Sequence, residues 1–127
     1  MDQQALAGVP LFEGMDDDGL RDCADSFQPL QVLMGDELTT QDDFGYSFFV
    51  VLEGRVRVAI DGEAAVELGP GDHFGEVALV TGNKRNATVK ALETCQLAKL
   101  MTWDFQQLRE RNPTFEARIQ ASVADRS

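Results

Sequence analysis

Arg55-Val56-Arg57-Val58-Ala59-Ile60-Asp61-Gly62 is the stretch on which the fold turns. Val56, Val58 and Ile60 alternate with Arg57 and Ala59. That period of two is the pattern of a half-buried strand, and it predicts a core face for the three apolar residues. Asp61-Gly62 is a two-residue hairpin signal, because both central positions of the favoured turn take positive φ. Glu63–Leu68 is then the expected return strand. The same texture runs outward from Leu30 to Leu100. Segments rich in Val, Phe, Leu and Thr are punctuated every eight to twelve residues by Gly35-Asp36, Gly54, Gly69-Pro70-Gly71-Asp72 and Gly82-Asn83. Many short strands at this spacing predict an antiparallel barrel or a jelly roll.

Helical patterns flank the strands. Asp16 is a plausible N-cap for a helix in which Leu20, Cys23, Ala24 and Phe27 recur at helical spacing. The first 27 residues read as helical, with Pro10-Leu11-Phe12 and Gly14 as a hydrophobic plug and turn, and Pro29 ends that stretch. After Leu100, Thr102 can cap a short helix running to Arg111. Asn112-Pro113 suits the start of another, since Asn is a good N-cap and Pro fits the first turn. Phe115, Ile119 and Val123 form one apolar stripe on it, and no Gly or Pro stops it before Ser127. The expected organisation is one unit over residues 1–127: a helical segment 1–28, a β-roll 29–101 and C-terminal helices 102–127.

Composition narrows the function. The chain has 127 residues, 43% apolar and 26% charged, an ordinary globular balance. Acids outnumber bases 22 to 11, for a net charge of −11, and a nucleic-acid partner would need a basic face that this chain lacks. The apolar run Ser47–Leu52 is far too short to span a membrane, and Met1–Pro10 lacks the pattern of a secretory signal. Cys23 and Cys95 show no metal-site or disulfide spacing and point to reduced thiols in the cytoplasm. His73 is the single histidine, read as a surface or hydrogen-bonded loop residue, and no metal site is expected. No nucleophile elbow or dinucleotide-binding glycine loop occurs, so an enzyme is not expected.

The chemistry concentrates in Gly71-Asp72-His73-Phe74-Gly75-Glu76-Val77-Ala78-Leu79 and in Gly82-Asn83-Lys84-Arg85-Asn86-Ala87-Thr88-Val89. Gly75 permits close backbone approach. Glu76–Leu79 suits one helical turn whose free N–H groups favour an anion. Arg85 adds a fork of donors that matches phosphate, and Glu76 is an acceptor suited to a ribose hydroxyl. An anion site beside a sugar acceptor describes a nucleotide. The competing reading makes Glu76 a local cap and Lys84-Arg85 exposed loop charges.

Phe74-Gly75-Glu76-Val77-Ala78-Leu79 with Arg85-Asn86-Ala87-Thr88-Val89 resembles the phosphate-binding cassette of cyclic-nucleotide-binding domains. The resemblance extends to Pro10–Gly14, Phe49–Val56 and Leu68–Asp72. It implies an antiparallel β-jelly-roll with flanking helices, of bacterial flavour, that senses cyclic AMP, or cyclic GMP as the less favoured ligand, without a cofactor. The implied ligand-binding residues are Gly75, Glu76, Val77, Ala78, Arg85, Asn86 and Ala87. Arg85 would pair with the cyclic phosphate, Glu76 would accept from the ribose 2′-hydroxyl, and the N–H groups of Ala78 and Ala87 would meet phosphate oxygens. Val58, Phe74 and Val77 are expected walls.

Three features depart from the family pattern. Asn86 stands where the family has Ala, Ser or Thr, and the absence of Thr leans toward cyclic AMP. Lys84 replaces a frequent Pro and would loosen the loop. The last helix has room for about 14 residues, roughly 20 Å, so the lid that the family folds over the base is expected to be short or missing, with Arg118 as the one cation on it able to stack on a base. The resemblance further implies signalling by movement of the flanking helices, an effector domain or partner outside this chain, and a homodimer through the C-terminal helix. The alternative is a relative that has lost nucleotide binding and serves as a protein-interaction module.

Overall fold

The computed structural model describes residues 1–126 and contains two four-stranded antiparallel sheets with helices against one of them. The chain begins with α1 (Gln3–Leu6), a 3₁₀ turn (Pro10–Phe12) and α2 (Asp17–Ser26). Eight strands follow: β1 (Gln28–Val32), β2 (Glu37–Thr39), β3 (Ser47–Glu53), β4 (Val56–Ile60), β5 (Glu63–Leu68), β6 (His73–Phe74), β7 (Thr88–Ala91) and β8 (Cys95–Met101). Helix α3 (Glu76–Thr81) lies between β6 and β7, and α4 (Thr102–Arg111) and α5 (Pro113–Arg126) close the chain. One sheet has the order β1-β8-β3-β6 and the other β2-β7-β4-β5. This is the jelly-roll-like arrangement with flanking helices expected from the strand spacing.

Strand β3 explains how the layers assemble. Its residues Ser47–Val51 are all buried, so neither face meets water. Phe48 and Val50 point into a core shared with the helices, which also holds Leu11, Phe27, Phe105, Leu108, Phe115 and Ile119. Phe49 and Val51 point the other way, into a second core between the sheets with Val56, Leu68, Phe74, Val89 and Leu97. Strand β8 repeats the division, with Leu97 on the inter-sheet side and Ala98 and Leu100 on the helix side. The first sheet is thus a wall between two cores, which is why β3 reads as a continuous apolar run rather than an alternating one.

Several local expectations hold. Asp61 and Gly62 both have positive φ, at 54° and 82°, and join β4 to β5, whose pairing shifts register between Val58 and Ala59. Asp16 caps α2 by accepting from the Gly19 N–H at 2.7 Å, with Asp17 and Asp18 in the first turn where the helix dipole favours acids. Phe115, Ile119 and Val123 are all buried along α5.

Others are corrected. The first 27 residues are not one helical run, because Gly8 and Gly14, both at positive φ, divide it. The helix ends at Ser26, and Pro29 lies within β1, an edge strand whose outer side needs no donor. Thr102 is the first residue of α4 rather than its cap, and its hydroxyl donates to the Tyr46 carbonyl at 2.9 Å. Asn112 holds the position before α5, its carbonyl accepting from the Glu116 N–H at 3.0 Å, but its side-chain amide donates to Asp22 and to the Leu108 carbonyl and so also ties off α4. On β4 only Val56 is fully buried. Val58 is half-buried and Ile60 is 44% exposed, because their face lines a cavity rather than a packed core.

Phe48 is where the wall meets the helices. Its ring lies 6.2 Å from that of Phe27, 5.3 Å from Phe105, 6.3 Å from Phe115 and 5.6 Å from His73. Phe48→Ala should therefore destabilise the fold by roughly 3–5 kcal/mol, the range for emptying a packed aromatic site. Urea denaturation monitored by circular dichroism checks this, and a loss well under 1 kcal/mol would contradict the central place given to this ring.

Candidate functional site

The hairpin β4–β5, strand β6, helix α3 and the loop before β7 enclose a cavity of about 260 Å³. Gly75, Glu76, Val77, Ala78, Arg85, Asn86 and Ala87 all line it, as do the expected walls Val58, Phe74 and Val77. One side is apolar, formed by Val58, Ile60, Ala65 and Val66. The other is charged, formed by Glu76, Arg85 and Arg126. The fold therefore brings together every site residue singled out in the sequence.

Arg85 is held from three directions. Its Nη1 donates to the Gly75 carbonyl at 2.8 Å and its Nη2 to the Ser47 carbonyl at 2.7 Å. Its backbone N–H donates to the Asp43 carbonyl at 2.7 Å, and its own carbonyl accepts from Asp42 N–H at 2.9 Å, so the loop carrying it is pinned. Lys84, expected to loosen this loop, instead sits over the Phe44 ring at 5.7 Å. The guanidinium also lies close against Gly45, where an added Cβ would come within 2.4 Å of its carbon. Burial draws the Arg85 pKa down, and the nearby Glu76 carboxylate opposes that shift. Gly75 has φ of 101° and is the N-cap residue of α3. A Cβ there would stand 2.9 Å from the Ser47 carbonyl and 3.0 Å from Arg85 Nη1, so its closest approach is to Arg85 and β3.

Glu76 is 0% exposed. Arg126 Nη1 donates to its Oε1 at 2.7 Å and its Oε2 at 3.2 Å, and also to the His73 carbonyl at 2.7 Å. The Ser122 hydroxyl donates to Oε1 at 2.9 Å. His73 Nε2 lies 2.9 Å from Ser122 Oγ and 3.9 Å from Glu76 Oε1. Asn86 donates through its side-chain amide to the Arg126 carbonyl at 3.3 Å. A buried carboxylate needs compensation of this kind, because removing its charge from water is costly.

The last helix is thus not too short to reach the site. Its final turn touches the cassette, and the cation it brings is Arg126. Arg118 turns toward the Pro10 carbonyl instead. His73 is a strand residue beside the cavity rather than a loop residue. Gly45, Ser47, Ser122 and Arg126 escaped the sequence reading. The only local hint was the spacing of Ser122 and Arg126, which puts them on one helix face. Ser47 and Arg85 are 38 positions apart, and Glu76 and Arg126 are 50 apart.

Comparison with known proteins agrees with this fold. The family model described as the cyclic nucleotide-binding domain matches residues 29–112. A cyclic nucleotide-gated potassium channel of Rhizobium etli is 35% identical over 123 residues, which is 97% of this chain and 34% of the channel. The chain therefore spans about a third of the length of that relative. The solved catabolite activator protein of Thermus thermophilus superposes with a TM-score of 0.82 at 30% identity, covering 92% of this chain and 57% of that one. The regulatory subunit of a cAMP-independent protein kinase A from Trypanosoma brucei superposes with a TM-score of 0.84 at 25% identity, covering 94% and 43%. The chain belongs to the cyclic nucleotide-binding domain family.

Burial pulls the His73 imidazole below its ordinary value of 6.5; Glu76 and Asp72 act upward and Arg126 downward. The folded protein keeps His73 neutral where the unfolded chain already takes up a proton. Stability held by the neutral ring is therefore complete above that ordinary value and is lost as pH falls through it toward the depressed one. His73→Gln, which retains a donor toward Ser122, should flatten the stability profile between about pH 7 and about pH 5. Urea midpoints across that range check it, and an unchanged profile would contradict the assignment.

Proposed function

We propose that this cyclic nucleotide-binding domain captures cyclic AMP in the cavity between α3 and the β4–β5 hairpin and signals through its flanking helices. The single observation carrying this reading is that Arg85 and Glu76, an anion donor and a buried acceptor, line one half-apolar cavity. The cyclic phosphate would meet Arg85 and the N–H groups of Ala78 and Ala87, and the ribose 2′-hydroxyl would meet Glu76. The base would lie on Val58, Ile60 and Val66. Asn86 already donates to the end of α5, which takes its amide away from guanine recognition and supports cyclic AMP over cyclic GMP. Phe48 contacts the rings of Phe27, Phe105 and Phe115 as well as His73, so a shift at β6 has a packed route to α4 and α5.

In this reading the chain is a regulatory module rather than an enzyme, working in the cytoplasm as part of, or beside, an effector that it controls, with α5 available as a dimer seam. A second reading is a module that has given up nucleotide and binds protein instead. Two observations favour it: Glu76 is already engaged by Arg126 and Ser122, and the Trypanosoma brucei subunit carries the same fold while being cAMP-independent.

Calorimetric titration with cyclic AMP and cyclic GMP separates the two. Cyclic AMP should bind more tightly, and Arg85→Ala should weaken it by at least ~2 kcal/mol, about thirtyfold, the scale for truncating a buried charge pair. Ligand at about 100 times its dissociation constant should add about 2.7 kcal/mol to stability. Absence of any thermal shift up to millimolar nucleotide would favour the second reading.

A further inference from the structure

The Arg85 guanidinium is aimed by the fold itself. Nη1 donates to the Gly75 carbonyl at 2.8 Å and Nη2 to the Ser47 carbonyl at 2.7 Å. Among the described residues these two carbonyls are its side-chain partners, so three of its five N–H groups remain for an anion. The two carbonyls fix the ends of the fork, but a fork held at two points can still tilt about the line between them. What limits the tilt is whatever fills the space beside Cζ and Nε.

Gly45 stands there. A Cβ built on it would lie 2.4 Å from Arg85 Cζ, 2.4 Å from Nε and 2.9 Å from Nη2, and these are its three nearest atoms. Atoms in contact keep about 3.5–4.0 Å apart, so even an alanine would push the guanidinium back by about 1 Å. Nη2, one of the crowded atoms, is the donor to the Ser47 carbonyl. The backbone does not require glycine at this position, since its φ lies outside the left-handed region. Gly75 differs, with φ of 101° and a Cβ that would strike the Ser47 carbonyl oxygen at 2.9 Å. Gly45 does not line the cavity. Its segment is tied to the Arg85 loop by Arg85 N–H to the Asp43 carbonyl and Asp42 N–H to the Arg85 carbonyl, at 2.7 and 2.9 Å, which keeps the two at a fixed spacing.

Building on the cyclic-nucleotide reading of this cavity, we infer that Gly45 is a positioning residue for phosphate recognition, its missing side chain letting the Arg85 fork seat on the Gly75 and Ser47 carbonyls with its remaining N–H groups toward the cyclic phosphate. Gly45 acts through Arg85 and does not touch the ligand. The way the phosphate is held depends on it, and discrimination between bases does not.

The test uses cyclic AMP, cyclic GMP and the two diastereomers of cyclic AMP phosphorothioate, in which sulfur replaces one or the other exocyclic phosphate oxygen. Affinities are read by calorimetry on the full chain. The parent should distinguish the diastereomers, because a fixed fork of donors meets one exocyclic position better than the other. In Gly45→Ala both natural nucleotides should bind roughly tenfold or more weakly, the scale of a hydrogen bond to a charged group, with their ratio unchanged. The preference between diastereomers should fall toward one. In an Arg85→Ala background the same substitution should alter neither affinity nor melting temperature, because the crowded atoms are gone. A glycine that merely supports the fold would lower all affinities together, leave the diastereomer preference intact and cost affinity again in the Arg85→Ala background. Either of the last two results would overturn the inference, as would unchanged affinity in Gly45→Ala or a parent indifferent to the diastereomers. Should Gly45→Ala not fold, the double variant decides: folding as well as Arg85→Ala upholds the contact with Arg85, and failing to fold overturns it. A parent that binds neither nucleotide would overturn the cyclic-nucleotide reading itself, and this inference with it.

Discussion

The burial of β3 on both faces is the constraint from which the rest of the molecule follows. Because Phe48 and Val50 face the helices while Phe49 and Val51 face the second sheet, a single strand commits both cores at once. The strand also supplies the Ser47 carbonyl that receives Arg85, and it pairs with β6, which leads into Gly75 and Glu76. The site is therefore mounted on the most deeply buried strand of the protein. An arginine and a carboxylate are held by rigid elements, as functional groups must be if their geometry is to persist.

The polar side of the cavity is an exchange of partners between buried charges. Arg85 and Glu76 sit within electrostatic reach of one another, yet each is hydrogen-bonded to something else. Arg85 is bonded to carbonyls of β3 and the α3 cap, and Glu76 to Arg126 and Ser122. Satisfying the acid from α5 ties the end of the chain to its middle. The same contact that stabilises a buried carboxylate sets the last turn of α5 against the cavity. Family membership places the chain among nucleotide-binding modules.

Much of this was legible in local sequence. The alternation of Val56 and Val58, the Asp61-Gly62 turn, the Asp16 cap and the stripe of Phe115, Ile119 and Val123 depend on contacts a few residues apart, and the structure keeps them all. The run from Phe74 to Val89 marked residues that line the cavity for the same reason, since Gly75, Glu76 and the first turn of α3 are neighbours in the chain. Ile60 was misread because alternation reports which face is apolar and not whether that face meets a core or a cavity. Thr102 was misread because its side chain found a partner in Tyr46, outside the helix it begins.

By itself, then, the sequence determined most of the strands and turns, through short-range sterics and periodicity, and its cassette-like run marked residues that line one cavity. Only the tertiary structure decided what those residues bond to. The carbonyl of Ser47, the close approach allowed by Gly45 and the side chains of Ser122 and Arg126 reach Arg85 and Glu76 across tens of residues. No local pattern encodes such pairings, because a buried charge takes whichever partner the packed layers bring within hydrogen-bonding distance.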